Sequence, residues 1–391
     1  MVIVMVRVAH VADTHLGFRQ YNIDEREHDL YEVMDEIADK IIEERAEIVI
    51  HSGDLFDSPR PLAQAYYAFK KFLAKLEGKV KVFSILGDHD TPKRRGMPPQ
   101  RLFDDRMQIL GLTGGEYQTL NLKGQEVLIA GISHVGRRYR ELLVEELKKL
   151  DSIAAKYPIS ILALHQAIDR FFALEGAYEL RMDELPRNFK YYAMGHLHSR
   201  VQASFGNGEL AYSGSTEIIR STEIAEWEKR GKGFYIVDIN GDNMRVEEVN
   251  LIKIRPQFRI KIDYANFDEE LKRLVGIIGG CDKPPVVHIT VEGKEIDRQR
   301  VHQALNEVLA GKVLHFRSQI VEKAEKRLIE LKTGEVNIQM LLREYLKDEK
   351  IAEFGYELFK VLRFGEVEEA KRIVEDYFRR MKQNVVKEGT S

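Results

Sequence analysis

Five apolar stretches, at residues 2–12, 46–52, 80–86, 159–164 and 191–194, each run directly into candidate ligands: Asp13-Thr14-His15, Gly53-Asp54, Gly87-Asp88-His89-Asp90, His165 and Gly195-His196-Leu197-His198. Short runs rich in β-branched and aromatic residues predict strands buried on both faces. An open α/β sheet gathers whatever lies beyond the carboxyl ends of its strands into one crevice, so five distant segments can meet there. That placement of Asp and His constrains the fold more than any other feature of the chain.

Helical spacing fills the intervals. Leu30, Met34, Ile37 and Ile41 mark a helix over 25–45, and Leu62, Tyr66, Phe69, Leu73 and Leu76 mark another over 61–76. A further helix is expected over 99–110. Strands alternating with helices predict a layered α/β core. After the fifth motif, 209–214, 233–239 and 244–250 read as strands around turns such as Asn240-Gly241-Asp242. The first domain is expected to span 1–252. Residues 253–317 then alternate strand, helix, strand and helix (258–262, 267–278, 286–291, 298–309), a small α+β domain. A charged linker is expected over 318–333, followed by a helical module over 334–391. In that module Phe354, Tyr356, Phe359, Leu362 and Phe364 exceed what short helices readily bury, which suits a partner-binding face.

Carboxylate oxygens mixed with imidazole nitrogens suit Mn, Fe or Zn better than Ca or Mg, which prefer all-oxygen shells. Cys281, the only cysteine, lies far from these motifs. Seven ligands are too many for one tetrahedral ion, whereas two ions about 3.5–4 Å apart with a carboxylate between them use all of them. Asp54 is the natural bridge. Asp13, His15, Asp54 and His198 are assigned to one ion, and Asp54, Asp88, His165 and His196 to the other. Such a pair activates a water at neutral pH and clamps an in-line displacement, so phosphoester hydrolysis is the implied reaction class. His89 is expected to face the substrate, neutralising phosphate or protonating the leaving oxygen, with Asp90 fixing its tautomer.

The 391 residues carry a formal net charge of −3, which argues against a protein that neutralises nucleic acid over its whole surface. Any such footprint is local. Lys93, Arg94 and Arg95 with Arg101, and Arg137 and Arg138 with Arg140, are the candidate phosphate contacts, against the plainer reading of solvated surface charge. No run approaches the ~18 apolar residues of a membrane span, and one cysteine fits a reducing compartment, so a soluble, cytoplasmic, nucleoid-associated protein is expected.

At the five motifs the chain resembles the calcineurin-like metallophosphoesterases, whose order is D-x-H, G-D, G-N-H-D/E, H and G-H-x-H. More narrowly, residues 12–17, 52–56, 164–166, 192–198 and 212–217 resemble the Mre-eleven/SbcD family of DNA double-strand-break repair nucleases. The resemblance is strong over residues 1–250 and weaker beyond. It implies a layered metallophosphoesterase core, a capping domain over 253–317 that orients DNA, and exonuclease and possibly endonuclease activity with Mn. It also implies a homodimer, and a Rad-fifty/SbcC-type ATPase gripped by the C-terminal helices. Dimerisation would use the aromatic excess (Tyr66, Tyr67, Phe69, Phe72) of the helix over 61–76.

Two positions depart from the family. Asp88 stands where the family has Asn, replacing a neutral carbonyl and an N–H donor by a carboxylate that only accepts. The extra negative charge is expected to hold metal tightly, lower its Lewis acidity and repel phosphate. Asp57 stands where some members carry His. Three functions stay open at this stage: a DNA nuclease subunit, a mainly architectural DNA-binding subunit weakened by Asp88, and a hydrolase of small phosphoesters.

Overall fold

All five apolar runs form strands in the computed structural model, which describes residues 5–93, 96–172, 177–241, 243–322, 338–362 and 367–388. One sheet has the spatial order β12 (Asn243–Asn250), β11 (Gly233–Asn240), β1 (Val6–Val11), β2 (Ile48–Ser52), β3 (Lys81–Ile85) and β4 (Gln108–Ile109). The other has the order β5 (Glu116–Leu122), β6 (Gln125–Ile132), β7 (Ile159–His165), β8 (Tyr191–Gly195), β10 (Gly208–Tyr212) and β9 (Val201–Phe205). The central pairings β1·β2·β3 and β6·β7·β8·β10 are parallel. Antiparallel strands flank them.

Why these runs lack polar alternation follows from the layers. Val8, Ile50, Phe83 and Ile85 of the first sheet meet Ile129, Ile161 and Ala193 of the second in a core between the sheets. The opposite faces are covered by helices α1 (Asp24–Glu43) and α2 (Ala63–Leu76) on the first sheet, and α3 (Arg140–Ala154) on the second. Each central strand is therefore buried on both sides. Helix α1 opens with Asp24, Glu25 and Glu27 against its positive dipole end, and the chain turns away at Arg45, which sits at a φ of 56°.

The helix expected over 99–110 does not form. Pro99–Phe103 is a short 3-10 turn, and the chain then straightens into β4, pairing with Phe83 and Ser84 of β3. Phe103 and Met107 are both buried, so the spacing of four that suggested a helix is met by a turn instead. Phe103 packs edge-on against Phe69 at 4.9 Å, and the Leu110 N–H donates to the Ser84 carbonyl at 2.8 Å. Sheet-edge pairing supplies the backbone partners that a helix would have supplied.

The small domain is a parallel β-α-β-α-β unit: β13 (Gln257–Asp263), α5 (Phe267–Ile278), β14 (Val286–Gly293), α6 (Arg298–Leu309) and β15 (His315–Glu322). Strand β15 runs into the segment read as linker. Only one face of it is apolar, with Phe316 and Ile320 against the helices and Arg317 and Gln319 outward, which is why the segment reads as merely charged. Residues 323–333 lie outside the described residues, as do Arg94, Arg95, Asp242 and Phe364.

Buried charge joins this unit to the sandwich. Asp29 receives Arg26 at 2.5 Å and a bidentate Arg255 at 2.6 and 2.8 Å, while Lys283 reaches it at 3.3 Å. Arg26 also lies 3.3 Å from Glu217. The C-terminal residues form a second compact unit in which α7 (Ile338–Leu346), α8 (Glu349–Leu362) and α9 (Val367–Glu388) pack in sequence. Phe354 is stacked on Tyr377 at 4.0 Å, whereas Tyr345, Phe359 and Leu362 are exposed. No described helix is long and apolar enough to cross a membrane.

Removing Asp29 leaves the buried Arg255 guanidinium without its bidentate counter-charge and Arg26 with Glu217 as its counter-charge. Asp29→Ala should cost about 3–5 kcal/mol of stability, read from the urea unfolding midpoint at unchanged slope.

Candidate metal centre

The carboxyl ends of β1, β2 and β3 face those of β7 and β8, so ligand candidates from both sheets share one floor. Asp13, His15 and His198 form one cluster, and Asp88, His165 and His196 a second, with Asp54 among the groups that draw on both. Asp54 Oδ2 is 3.3 Å from His165 Nε2 and 3.7 Å from His15 Nε2. Asp88 Oδ1 is 3.3 Å from His165 Nε2 and 3.2 Å from His196 Nδ1.

Backbone strain marks the same residues. Asp13, His15, Asp54 and His196 have φ values of 52°, 44°, 51° and 90°, in the left-handed region that side chains avoid. Close approach explains the glycine before Asp88: a Cβ at Gly87 would fall 2.0 Å from Asp54 Oδ1. One at Gly195 would fall 2.0 Å from the Ser52 carbonyl. The glycines of the motifs are there because backbone must pass where side chains cannot.

Each ring's orientation is set from behind. His165 Nδ1 donates to the Ser52 carbonyl at 2.8 Å, turning Nε2 toward Asp54 and Asp88. Asp57 Oδ1 lies 3.2 Å from His15 Nδ1, and Glu223 Oε1 lies 2.8 Å from His198 Nδ1. With both Nδ1 atoms donating to carboxylates, the Nε2 lone pairs of His15 and His198 point at each other across 3.1 Å. A cation held by both nitrogens satisfies that arrangement, and the residues fit a metal pair.

Protonation tells the same story. Burial opposes charge on His165, yet Asp54 and Asp88 hold its pKa well above the ordinary imidazole value. Burial also opposes ionisation of Asp54 and Asp88, but the neighbouring imidazoles keep both carboxyls far below their usual range. The carboxylates demand positive charge, which protons supply when metal does not.

Asp57, not Asp90, is the partner of His89. The Asp57 carboxylate lies 3.4 Å from His89 Nδ1, and its carbonyl accepts from that nitrogen at 3.0 Å. The hydrogen bond to Asp57, working against burial, raises the His89 pKa to about 9. Asp90 is instead fully buried and accepts backbone N–H groups of Leu55, Phe56 and Gly87 at 3.0, 2.8 and 3.1 Å. It pins the second and third motifs together. Burial, then the charge of Asp54, pushes its pKa up to about 6. The expectation that Asp90 orients His89 is corrected accordingly: its oxygens are occupied by backbone donors.

An open cleft beside His89 is lined by Asp57, Arg60, Asp88, Lys93 and His134. His134 stacks on His196 at 6.0 Å, and burial holds its pKa down to about 4. Arg137 and Arg138 follow the carboxyl end of β6, on the ligand-bearing side. Arg101 does not lie beside the metals as expected. It pairs with Asp104 at 3.0 Å and lines a depression with Lys79–Phe83 at the amino end of β3, because the turn at Pro99 carries the chain back down the sheet edge. Sequence reading missed Glu223, Lys232 and His134. Glu223 sits two residues after Arg220-Ser221, with no spacing signal linking it to His198.

A two-sheet sandwich with this site at one end is a metallophosphoesterase, and residues 6–200 match the family model of the calcineurin-like phosphoesterases. The DNA double-strand break repair protein Mre11 of Thermoplasma acidophilum is 33% identical over 370 residues, covering 94% of this chain and 96% of that protein. Those of Methanocaldococcus jannaschii and Methanococcus maripaludis are each 34% identical, covering 94% and 96% of this chain and 97% and 99% of theirs. The chain belongs to the Mre11 family.

Gly87→Ala would drive a methyl into the Asp54 carboxylate and backbone. It should lower stability by about 1–3 kcal/mol and weaken divalent-metal binding in calorimetric titration, while the far-UV spectrum stays that of wild type.

Proposed function

We propose that the protein is an Mn-dependent DNA nuclease subunit of a double-strand-break repair complex, hydrolysing phosphodiesters by a two-metal mechanism. The observation that carries this reading is the pair of ligand clusters meeting at Asp54. Asp13, His15, Asp54 and His198 would hold one ion, and Asp54, Asp88, His165 and His196 the other. Bound there, the ions supply a nucleophile at neutral pH and stabilise charge on the attacking and leaving oxygens. The mixed oxygen and nitrogen donors suit Mn, Fe or Zn, and among these the family resemblance favours Mn.

The chain's own groups do the rest. His89 is exposed to the cleft on one side and held by Asp57 on the other, so it meets the phosphate as an imidazolium. From Nε2 it can give its proton to the leaving oxygen. Lys93, Arg137 and Arg138 would hold the backbone of the DNA on either side. Residues 1–252 form the nuclease domain in this reading, 253–322 the cap, whose last strand runs past the expected boundary at 317, and 334–391 the partner-binding module. The exposed Tyr345, Phe359 and Leu362 suit a Rad-fifty-type ATPase coiled coil. For a homodimer, Tyr67 of α2 and Leu62 just before it are exposed, since Tyr66, Phe69 and Phe72 are taken up by the protein's own core.

Asp88 favours a second reading, a DNA-binding subunit with restrained turnover. Its Oδ2, 4.0 Å from His89 Nε2, faces the cleft where an Asn would offer a donor. Cleavage of end-labelled duplex and circular single-stranded DNA with Mn tests both. Wild type should cut, and Asp88→Asn should cut faster. Equal or lower activity in Asp88→Asn removes the account of Asp88, and hydrolysis of bis(p-nitrophenyl) phosphate without DNA cleavage removes the nuclease reading.

His89 is cationic below about pH 9 and loses its proton as pH rises through that value. Turnover should therefore fall on the alkaline side. Asp57→Asn removes the leading cause of the raised pKa and should move that limb to lower pH, and His89→Gln should abolish it, measured as kcat against pH.

A further inference from the structure

His198 is gripped by a buried ion pair that the mechanism above does not use. Glu223 Oε1 accepts from His198 Nδ1 at 2.8 Å, and Glu223 Oε2 accepts from Lys232 Nζ at 2.7 Å. The ammonium spends its other two donors on Ser215 Oγ at 2.7 Å and on the backbone carbonyl of His198 itself at 2.9 Å. Lys232 is only 3% exposed and Glu223 5%. Backbone N–H groups of Arg220 and Ile219 add bonds to Oε1 at 2.9 Å and Oε2 at 3.3 Å. Glu223 stands in a short turn before α4 (Ile224–Arg230), and Lys232 follows that helix, so one small excursion of the chain delivers both charges.

We infer that Glu223, oriented by Lys232, is a positioning residue that keeps the His198 proton on Nδ1 and thereby sets the affinity of one of the two metal sites. The inference rests on the two-metal reading. An imidazole ligates only through a nitrogen without a proton, and the hydrogen bond behind the ring decides which nitrogen that is. With Nδ1 donating to Glu223, Nε2 faces His15 Nε2 across 3.1 Å with its lone pair free. Among the described residues the second cluster has no such device: His165 leans on a backbone carbonyl, and its negative charge comes directly from Asp54 and Asp88. The two sites are therefore tuned by different means, and a change at Glu223 reaches only one.

Lys232 makes the inference sharply testable, because an ammonium has donors alone. In Glu223→Gln the amide oxygen must turn toward Lys232, which puts the amide N–H₂ on His198 Nδ1. The Arg220 N–H opposes this orientation, but a charged donor outweighs a neutral one. A donor at Nδ1 forces the His198 proton to Nε2, and the ligand is lost. Adding Lys232→Met removes the charged donor: the Arg220 N–H at 2.9 Å then outweighs the longer Ile219 N–H at 3.3 Å, and Ser215, whose hydroxyl also reaches the Glu217 carbonyl at 2.9 Å, can accept from the amide instead of donating to it at 2.8 Å, so the amide oxygen returns toward His198.

The experiment is calorimetric and EPR titration of full-length protein with Mn, on wild type, E223Q and E223Q/K232M, with thermal melts to check folding. Wild type should bind two ions. E223Q should weaken one site by about 10–100-fold and leave the other within about twofold. E223Q/K232M should regain affinity at the weakened site, a rescue that loss of a merely structural ion pair would not give. Two ions bound at wild-type affinity by E223Q would overturn the inference, as would a double variant weaker than E223Q. Fewer than two ions in wild type would instead remove the two-metal reading beneath it. If E223Q does not fold, the double variant alone decides: its neutral, correctly turned amide should hold both ions within about tenfold of wild type.

Discussion

The Asp54 carboxylate is the point on which the carboxyl edge of both sheets is hung. It reaches His15 from the first sheet and His165 from the second, and its other oxygen accepts the His89 N–H at 2.9 Å. Holding it there requires a left-handed φ of 51° at Asp54 and bare backbone at Gly87. Such strain persists only where surroundings over-determine it, and here they do: the Asp54 carbonyl accepts the His15 N–H at 3.0 Å, and Asp90 staples the following two N–H groups. The parallel strands bring the motifs near each other, and this knot of backbone bonds fixes them to within ligand distance.

Around that point charge is distributed unequally. His15 and His198 each have a carboxylate behind the ring, whereas His165 has a carbonyl and its cluster takes its negative charge in front, from Asp88. Charge behind a ring raises the basicity of the ligand without occupying the face that substrate approaches. Charge in front occupies it. Asp88 therefore affects both metal holding and phosphate approach, while Glu223 and Asp57 affect mainly the first. His89 offsets Asp88 from across the cleft, its imidazolium 4.0 Å from the carboxylate.

What was legible in the sequence is what periodicity and strand ends encode. Apolar runs closing on Asp or His identified the strands, their layered sandwich and the residues that converge, because burial on both faces erases polar alternation. Partners set by side-chain direction were not legible. Asp90 follows His89 directly whereas Asp57 lies 32 residues before it, and only the fold reveals that Asp90 points into backbone amides while Asp57 points at the ring. Glu223 and Lys232 meet His198 from a turn and a strand approach 25 and 34 residues on, carrying no pattern of their own. Two elements misled for definite reasons. Phe103 and Met107 keep helical spacing while their backbone serves a sheet edge, and β15 hides its strand character because one of its faces is charged.

Buried charge also decides how the small domain sits on the sandwich. An apolar contact there would stabilise comparably, since buried ion pairs are weak sources of net stability. Its geometry would be looser. The two parallel hydrogen bonds between Arg255 and Asp29 hold only when the guanidinium and carboxylate are coplanar, and Asp29 is already fixed by Arg26 from its own helix. Gln257 adds a direction of its own by donating to Gln20 Oε1 at 2.9 Å, at the foot of the loop that begins with His15. Arg255 and Gln257 both flank the entry to β13, so the first strand of the small domain is aimed by the same loop and helix that follow the first metal motif. An element aimed this way cannot slide without breaking several buried polar bonds together, and its strands therefore keep a defined position relative to the metal centre.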